Sequence, residues 1–465
     1  MRNGDVVIVH RWSVDTVART ITGIGTRQDA NRRPAALEVE QMVHLDSVAL
    51  IESNVIQRSG AVAALTIVSG ISAGVTAACL SNPKACFGSC PTFYVSDGKR
   101  SLLQAEGFSA SISPSLEATD IDALYRAQPE GRVLTVRMTN EALETHVVRS
   151  VRVLAVPRGH GGKTFVTQTG AFREAREVML PTRCTAREGD CLTVIRAVDD
   201  VERFSPTDSF DLAAREIIEL EFPQGGDSLG LVLASRQTLL STFVLYQTLA
   251  YMGASAGAML AKLERGNTAM LDRSKGMARL LGPIEVMVQD RRGAWVVAGS
   301  TQETGPLATD VRYVPLPTLP AGPARIRLRL TRGHWRIDHV ALAKLGERVE
   351  PIALEPTEVR RGEVVDDAVR SLLLDPARVL TTLPGDEFTF VFELPEHPER
   401  YELFLESRGY YLEWMRSEWL AEGNPALAMR AFRNPASALR AMAPAFKKRE
   451  AEMESIFWGS RYVRH

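Results

Sequence analysis

The sequence has almost no excess of charge of either sign. Its 55 lysine and arginine residues are balanced by 56 aspartate and glutamate residues, which leaves a formal net charge of −1 at pH 7. A protein that binds nucleic acid through the phosphate backbone usually carries a clear excess of positive charge. The charge balance therefore argues against a nucleic-acid partner.

The sequence also lacks several motifs by which enzymes are recognised. It contains no His-Glu-x-x-His zinc motif and no dinucleotide-binding glycine fingerprint. Arg158 to Thr164 approaches a phosphate loop, but Pro157 occupies the position of the first glycine and a strand-like sequence follows. The adjacent acidic residues Asp199-Asp200 and Asp366-Asp367 are typical of solvated loops. These absences favour a protein that is not an enzyme.

Cysteine is rare. Apart from Cys79, the cysteines form two close pairs, Cys86 with Cys90 and Cys184 with Cys191. In an oxidising compartment each pair can close a small disulfide loop. A zinc site would instead require thiolates from both pairs, which are far apart in the sequence, to converge. We predict two disulfides, with no metal ion and no cofactor.

The most distinctive stretch is long and uncharged. No charged residue occurs from Ser59 to Pro83, and Arg58 and Lys84 flank the run. A helix of this length can span the apolar core of a bilayer. Gly70 and Gly74 lie four residues apart, a spacing that lets two helices approach closely in lipid. The alternatives are an alanine-rich helix buried in a soluble core and a glycine-rich hairpin. We predict a membrane anchor over residues 59–83.

The orientation of such an anchor is weakly specified. Lys84, Lys99 and Arg100 follow the run, and the positive-inside rule would place them in the cytoplasm. The paired cysteines favour the opposite orientation, because disulfides persist outside the cytoplasm. The N-terminus is polar and has no apolar signal stretch, so the internal run would direct membrane targeting. We predict a membrane-anchored protein of the bacterial cell envelope, with a cytoplasmic protein as the alternative.

Alternating β-branched residues and turn residues predict a mainly β fold. Residues 1–58 have short alternating strands and resemble small SH3-like modules. Residues 84–205 predict a β domain, residues 206–350 a β-sandwich, and residues 351–408 a β extension. Within the sandwich, residues 236–280 have apolar residues at helical spacing and predict a helical insertion. Its apolar part, Thr238 to Leu263, is also long enough to suggest a membrane segment, but its glycine-rich break at 253–257 favours a buried helical hairpin.

The C-terminal residues 409–465 predict a helical tail. Asn424-Pro425 and Asn434-Pro435 each place a capping side chain before a proline at the first helical position. We predict that each pair begins a short helix and that a third helix runs through residues 447–458. The tail either packs on the β body or docks on a membrane or partner. Packing on the body is the favoured interpretation.

One set of residues resembles a known family. Cys90-Pro91-Thr92-Phe93-Tyr94, followed by Asp97-Gly98 and much later by Gly409-Tyr410-Tyr411, resembles the signature of a family of uncharacterised bacterial envelope proteins. The resemblance covers most of residues 80–415 and implies neither an activity nor catalytic residues. From the residues alone, Asp97-Gly98 predicts a hairpin turn.

A second resemblance concerns the predicted sandwich. Residues 325–330 alternate strictly, with Arg325, Arg327 and Arg329 on one face and apolar residues on the other, and a turn at Thr331-Arg332-Gly333 joins them to a second strand that begins at Trp335. They resemble the closing strands of galactose-binding-like sandwiches, which bind sugars, lipids and proteins alike. The resemblance makes Trp335 a candidate platform for a sugar ring; the alternative is a tryptophan of the core. His334 and His339 are five apart on a strand and point to opposite faces, so they predict no metal site.

These patterns favour a membrane-tethered envelope protein with a binding or scaffolding role and a glycan or protein ligand. A hydrolase acting on an envelope or extracellular polymer is the first alternative. A cytosolic scaffold that buries the uncharged run is the second.

Overall fold

A computed structural model of the chain describes residues 1, 5–28, 34–48, 90–159, 162–266, 268–290, 292–302, 305–414 and 417–459. The predicted anchor at 59–83, with Gly70 and Gly74, lies outside the described residues, and so does Cys86. Within the described ranges, no helix is both long enough and apolar enough to cross a bilayer.

The N-terminal residues form a small antiparallel sheet. Its strands follow one another in the order β1 Val6–Asp15, β2 Thr20–Gln28 and β3 Pro34–His44. Strand β1 pairs with β2 and β2 with β3 along their length, with bulges in both ladders. The predicted small N-terminal β module is therefore confirmed as a three-stranded sheet.

The strands of the main body begin at Thr92. Up to residue 200 they are β4 Thr92–Ser96, β5 Ser101–Glu106, β6 Ala118–Ala123, β7 Val133–Thr139, β8 Glu144–Pro157, β9 Lys163–Val166, β10 Phe172–Met179, β11 Arg183–Ala186 and β12 Gly189–Asp190. Those that follow, up to residue 350, are β13 Arg215–Phe222, β14 Leu229–Gln237, β15 Ile284–Gln289, β16 Trp295–Thr301, β17 Asp310–Pro315, β18 Ala324–Thr331 and β19 Trp335–Val349. The last are β20 Ile352–Leu354, β21 Glu358–Arg361, β22 Val364–Val365, β23 Leu380–Thr382, β24 Glu387–Glu393 and β25 Tyr401–Glu413.

These strands form four layers. The first sheet has the order β22-β21-β24-β7-β4-β5, and the middle sheet has the order β20-β8-β25-β6 with β23 beside β8. The third layer is a five-stranded barrel, β10-β19-β14-β17-β9, and the last sheet has the order β12-β11-β13-β18-β15-β16. The predicted mainly β class is thus confirmed.

Each pair of neighbouring layers shares a buried apolar cluster. Phe93, Phe388 and Phe390 of the first sheet pack against Val153 and Leu405 of the middle sheet. Other side chains of the middle sheet pack against the barrel, where the rings of Phe404 and Phe172 meet edge to face at 4.9 Å. A third cluster joins the barrel to the last sheet. Burial of this apolar surface is the main favourable contribution to folding.

Two of the short sequence patterns behave as predicted. Ile326, Leu328 and Leu330 of β18 are fully buried, and the intervening arginines point outward. At the β4–β5 hairpin, the Asp97 amide donates to the Arg100 carbonyl and Gly98 has a positive φ of 82°. This backbone conformation is one that glycine adopts without strain.

The segment after residue 350 joins the first two layers. Strand β24 pairs with β7, and β25 pairs with β8 from Tyr401 to Glu413. Residues 351–408, predicted as a β extension, therefore share sheets with residues 92–157. Tyr410 and Tyr411, at the start of the predicted helical tail 409–465, lie instead in strand β25.

The helical insertion is present and is broken where the sequence indicated. Its helices are α1 Leu240–Met252, α2 Ser255–Glu264 and α3 Thr268–Leu281. Gly253 lies between the first two with φ 55°, and a Cβ there would come within 2.8 Å of the Cα of Gly423. The break and the close approach therefore both require glycine. One further helix, α4 Asp367–Leu374, covers the first cluster.

The C-terminal tail packs on the body. Its helices are α5 Ser417–Glu422, α6 Pro425–Arg433, α7 Pro435–Lys447 and α8 Glu450–Gly459. Leu439 and Phe446 of α7 lie against Leu240 and Val244 of α1, and Trp419 lies against Leu249. Phe457 packs beside Tyr94 of the first sheet.

Both predicted caps are formed. The Asn424 side chain accepts a hydrogen bond from the Leu427 amide, and the Asn434 side chain accepts one from the Ser437 amide, each at 3.1 Å. Each bond satisfies an amide at the helix start that has no partner within the helix.

We expect Asn434→Ala to lower the free energy of unfolding by about 1 kcal/mol, because the Ser437 amide loses its partner. Asn434→Asp keeps an acceptor and should stay close to the wild type. Urea unfolding of the three proteins, followed by circular dichroism, measures the difference. Equal midpoints for Asn434→Ala and the wild type would contradict a stabilising cap.

Candidate functional site

Trp335 is not a surface platform. Its side chain is only 1% exposed and packs in the cluster between the barrel and the last sheet, with the ring of His334 at 4.9 Å. A sugar ring cannot reach a buried side chain. Trp335 is therefore a core residue, as the alternative interpretation expected, and it is excluded as a ligand platform.

The two predicted cysteine pairs have different outcomes. Cys184 and Cys191 form a disulfide that closes the β11–β12 hairpin, and both are at most 2% exposed. Cys90 is a buried free thiol. The predicted Cys86–Cys90 bond is therefore not seen, because Cys90 is unbonded and Cys86 lies outside the described residues.

Cys90 and His146 share an acidic neighbour but are poorly suited to nucleophilic catalysis. Burial, reinforced by Glu144 and Glu106, holds the pKa of the Cys90 thiol well above its ordinary value. Burial also lowers the pKa of His146 to about 3, and its Nε2 lies 3.3 Å from Glu144 Oε2. A nucleophilic cysteine needs a thiolate in an electropositive, accessible environment. The buried Cys90 thiol, next to acidic side chains, meets neither condition.

A Gly-x-Ser-x-Gly spacing, the pattern of hydrolase nucleophile elbows, occurs three times in the chain. The occurrence at Gly70 to Gly74 lies outside the described residues. Gly253 to Gly257 joins α1 to α2, and the Ser255 hydroxyl donates to the Met252 carbonyl at 2.7 Å. Gly226 to Gly230 leads from a turn into strand β14, which begins at Leu229. A nucleophile elbow turns from a strand into a helix, so neither Ser255 nor Ser228 sits in the arrangement that the motif needs.

A groove that no motif indicated lies at one end of the middle sheet. It consists of two adjoining pockets of about 290 and 510 Å³, which share Arg158, Glu399 and Tyr401. We call it the Arg158 groove. The end of β8 and the start of β25 form its floor, because Tyr401 pairs with Pro157 and Glu402 with Val156. Tyr125, which follows β6, lines the first pocket.

Backbone contacts hold the central arginine in place. Arg158 Nε donates to the Tyr401 carbonyl at 3.1 Å, and its Nη2 lies 3.5 Å from Glu402 Oε2. The Arg158 amide also donates to the Arg400 carbonyl at 2.9 Å. Arg158 keeps 41% of its side-chain surface exposed. Its guanidinium is therefore oriented by the protein and still accessible to a ligand.

The acidic side chains of the groove are in different environments. Burial raises the pKa of Glu402 above its ordinary value, against the opposing charges of Arg158 and Lys163. Glu399 is largely exposed and lies 3.3 Å from His397 through Oε1 and Nδ1. The groove thus offers a partly desolvated carboxyl, a solvated carboxylate and a guanidinium within one concave surface.

A small polar cavity lies behind the groove. Tyr125 lines both, and the cavity is also lined by Arg126, Asp200, Thr309 and Trp458. Burial raises the pKa of the Tyr125 hydroxyl. The Arg126 guanidinium forms two hydrogen bonds to the Asp200 carboxylate, at 3.0 and 3.1 Å, and lies 5.4 Å from the centre of the Tyr125 ring. These contacts fix the wall that separates the cavity from the groove.

Asp338 supports this wall from the barrel. Its two carboxylate oxygens accept hydrogen bonds from the Asp199 and Asp200 amides, at 3.3 and 3.2 Å. Burial nevertheless raises the pKa of Asp338 to about 6. Asp338 therefore positions the loop that presents Asp200 to Arg126.

The described residues that line the Arg158 groove can recognise a polar ligand, and no serine, cysteine or histidine is among them. Phenol rings, prolines, a guanidinium and carboxyl groups supply flat apolar contacts and hydrogen bonds side by side. Among the residues that the structure describes, no group of three or more histidine, cysteine or acidic side chains is arranged to hold a metal ion.

Sequence reasoning missed the groove because its parts are distant in the chain. Arg158 and Tyr401 are 243 residues apart and meet only through the pairing of β8 with β25. The sole local signal is the glycine-containing loop that begins at Arg158, and its resemblance to a phosphate loop does not point to a groove.

Comparison of the chain with models of known protein families, with curated proteins and with solved structures finds no match.

We expect acidification to affect Asp338→Asn and the wild type differently. The pKa of Asp338 is raised in the folded state, so the folded protein binds more protons than the unfolded chain between about pH 4 and 6. Its contribution to stability is thus present at pH 4 and is lost as the pH rises through 6. Asparagine does not titrate, so the wild type should gain of order 2 kcal/mol relative to the variant between pH 7 and pH 4.

Urea unfolding of both proteins at the two pH values measures this difference. The exposed Asp227 provides the matched control, because Asp227→Asn should not reproduce the change. A wild-type minus Asp338→Asn difference that is the same at pH 4 and pH 7 would contradict a raised pKa.

Proposed function

We propose that this protein is a membrane-anchored, non-catalytic binding protein of the cell envelope whose Arg158 groove holds a glycan. The observation that carries the proposal is the accessible guanidinium of Arg158, held between the backbone of Tyr401 and the carboxyl of Glu402. Planar donors with fixed geometry recognise ring oxygens and carboxylates with directional hydrogen bonds.

Two tyrosines support a sugar rather than a flat apolar ligand. Tyr401 and Tyr125 line the same pocket and are both half-buried, so each presents part of its ring. Sugar rings expose apolar C–H faces between polar edges, and an aromatic face next to hydrogen-bonding side chains complements both. The groove is also an open depression at the end of a sheet, which admits one part of a long polymer.

The proposed location has two supports. The uncharged run from Ser59 to Pro83 is long enough to cross a bilayer. The disulfide between Cys184 and Cys191 suits an oxidising compartment. Together they favour an orientation in which residues 1–58 lie in the cytoplasm and the four-layer body lies outside.

We expect Tyr401→Ala to weaken glycan binding about tenfold, which corresponds to about 1.4 kcal/mol. Tyr401→Phe keeps the ring and should bind within about twofold of the wild type. The ligand is found by screening the wild-type protein on a glycan array, and the best-retained oligosaccharide is then titrated by calorimetry. Equal melting temperatures of the three proteins show that the fold is retained.

Two results would contradict the groove as a glycan site. The first is the absence of any retained glycan on the array, and the second is an unchanged affinity in Tyr401→Ala. Release of new reducing ends from the oligosaccharide, abolished in Glu402→Gln, would instead favour the hydrolase interpretation, in which a carboxyl of raised pKa serves as the acid.

We expect the full chain to remain in the membrane fraction after washing with alkaline carbonate. A variant with the apolar residues of the run, Ile67, Val68, Ile71 and Val75, replaced by aspartate should appear in the soluble fraction, because charge at the bilayer centre is strongly unfavourable. Release of the intact wild-type chain by carbonate would overturn the anchor.

A further inference from the structure

The N-terminal sheet has one apolar face. In an antiparallel sheet, directly paired residues point to the same side. Trp12 pairs with Gly23, Val14 with Ile21, and Val9 with Gly25. Strand β3 continues the same side, because Val43 pairs with Ile21 and Val39 with Gly25. We call this side the Trp12 face; Gln41 lies at its centre and Arg27 at its edge, and its apolar side chains are those of Val9, Trp12, Val14, Ile21, Val39 and Val43.

The Trp12 face is exposed to a degree that is unusual for such a surface. Trp12 is 54% exposed, Val14 44% and Val39 46%. The buried apolar clusters of the described chain are all built from residues beyond Cys90. The described body therefore leaves the Trp12 face uncovered. Exposed apolar surface of this kind, bordered by polar residues, is typical of an interaction site.

The opposite face of the sheet is more polar. It carries the charged Arg11, Asp15 and Glu40 among Ile24 and Met42, according to the same pairing. Ion pairs also occur at the periphery, where Arg27 meets Asp5 and Arg19 meets Asp46. An asymmetric sheet of this kind suits a boundary between an apolar phase and water.

The chain leaves the sheet at a defined end. The Leu45 amide donates to the Arg19 carbonyl at 2.8 Å, so the end of β3 lies beside the turn between β1 and β2. Val17 in that turn is 94% exposed. Only residues 49–58 separate this end from the uncharged run that begins at Ser59, and ten residues reach at most about 35 Å. A bilayer that holds the run therefore holds this end of the sheet close to its surface.

We propose that the Trp12 face lies on the lipid surface, with the Trp12 ring at the level of the headgroups. This inference rests on the proposed membrane anchor. Amphipathic surfaces bind bilayers through their apolar side, and tryptophan favours the interface between acyl chains and headgroups. The lipid then covers the apolar side chains that the described body leaves exposed, and the anchor keeps the sheet within reach of it.

Fluorescence quenching in the full-length chain tests the proposal. The protein is reconstituted in phosphatidylcholine vesicles in which the lipid is brominated either near the top of the acyl chain or near its end. Trp12 is the only one of the six tryptophans that precedes the uncharged run. The difference between the wild type and Trp12→Phe isolates its signal, and Trp12→Phe should fold normally because Trp12 is mostly exposed.

The expected result is a loss of roughly half of the Trp12 signal with the shallow bromine and a much smaller loss with the deep one, as for a ring at the interface. Val39→Asp, on the same face, should restore the Trp12 signal, whereas Met42→Asp, on the opposite face, should not. Carbonate-resistant protein whose Trp12 signal is equally bright in all vesicles would overturn the proposal and leave the anchor intact. If no quenching is seen and two chains can be cross-linked through the Trp12 face, the face binds a second copy of the chain and the proposal is wrong. Carbonate-extractable protein would instead remove the anchor itself.

Discussion

The structure depends on one sheet that is covered on both sides. Strand β8 supplies Val151, Val153 and Ala155 to the cluster with the first sheet, and it supplies Leu154 and Val156 to the cluster with the barrel. Strand β25 likewise supplies Leu403 and Leu405 to the cluster with the first sheet and Phe404 to the cluster with the barrel. A strand buried on both faces has a nearly continuous apolar sequence instead of an alternating one. The pairing of β8 with β25 brings together the two halves of the chain and places Arg158 beside Tyr401.

Buried ion pairs then connect the layers with directional contacts. Arg312 of the barrel lies against Asp310 and, at 3.3 Å, against Asp120 of the middle sheet, and these three residues are at most 8% exposed. Asp310 also accepts a hydrogen bond from the Ala123 amide, at the end of β6. Removal of one partner of such a pair would leave an uncompensated buried charge, which is strongly unfavourable. The pairs therefore restrict how the sheets can be arranged relative to one another.

The C-terminal helix is held by the same kind of contact. Glu454 accepts a hydrogen bond from the Leu239 amide at 2.7 Å and lies 3.3 Å from Arg336, while Glu450 accepts one from the Thr207 amide at 2.7 Å. Trp458 stacks on the guanidinium of Arg236, 3.6 Å from the ring centre. The helix closes the polar cavity that lies behind the Arg158 groove. The tail is therefore packed as part of the body. Its Trp458 lines the small cavity, and Tyr125 lies between that cavity and the Arg158 groove.

The local features of the fold can be predicted from short stretches of sequence. Propensity, capping and short loop closure act over a few positions, so they can be read from residues that are close in the chain. They account for the alternation in β18, the turn at Asp97-Gly98, the helix starts at Asn424 and Asn434, and the bond between Cys184 and Cys191. Three other properties become visible only in the folded chain. Trp335 belongs to the core and Cys90 is a free thiol. Arg158, Tyr401 and Tyr125 line one groove. Burial and strand pairing between distant segments set those properties, and a sequence pattern records which residues are apolar but not which distant strand will cover them.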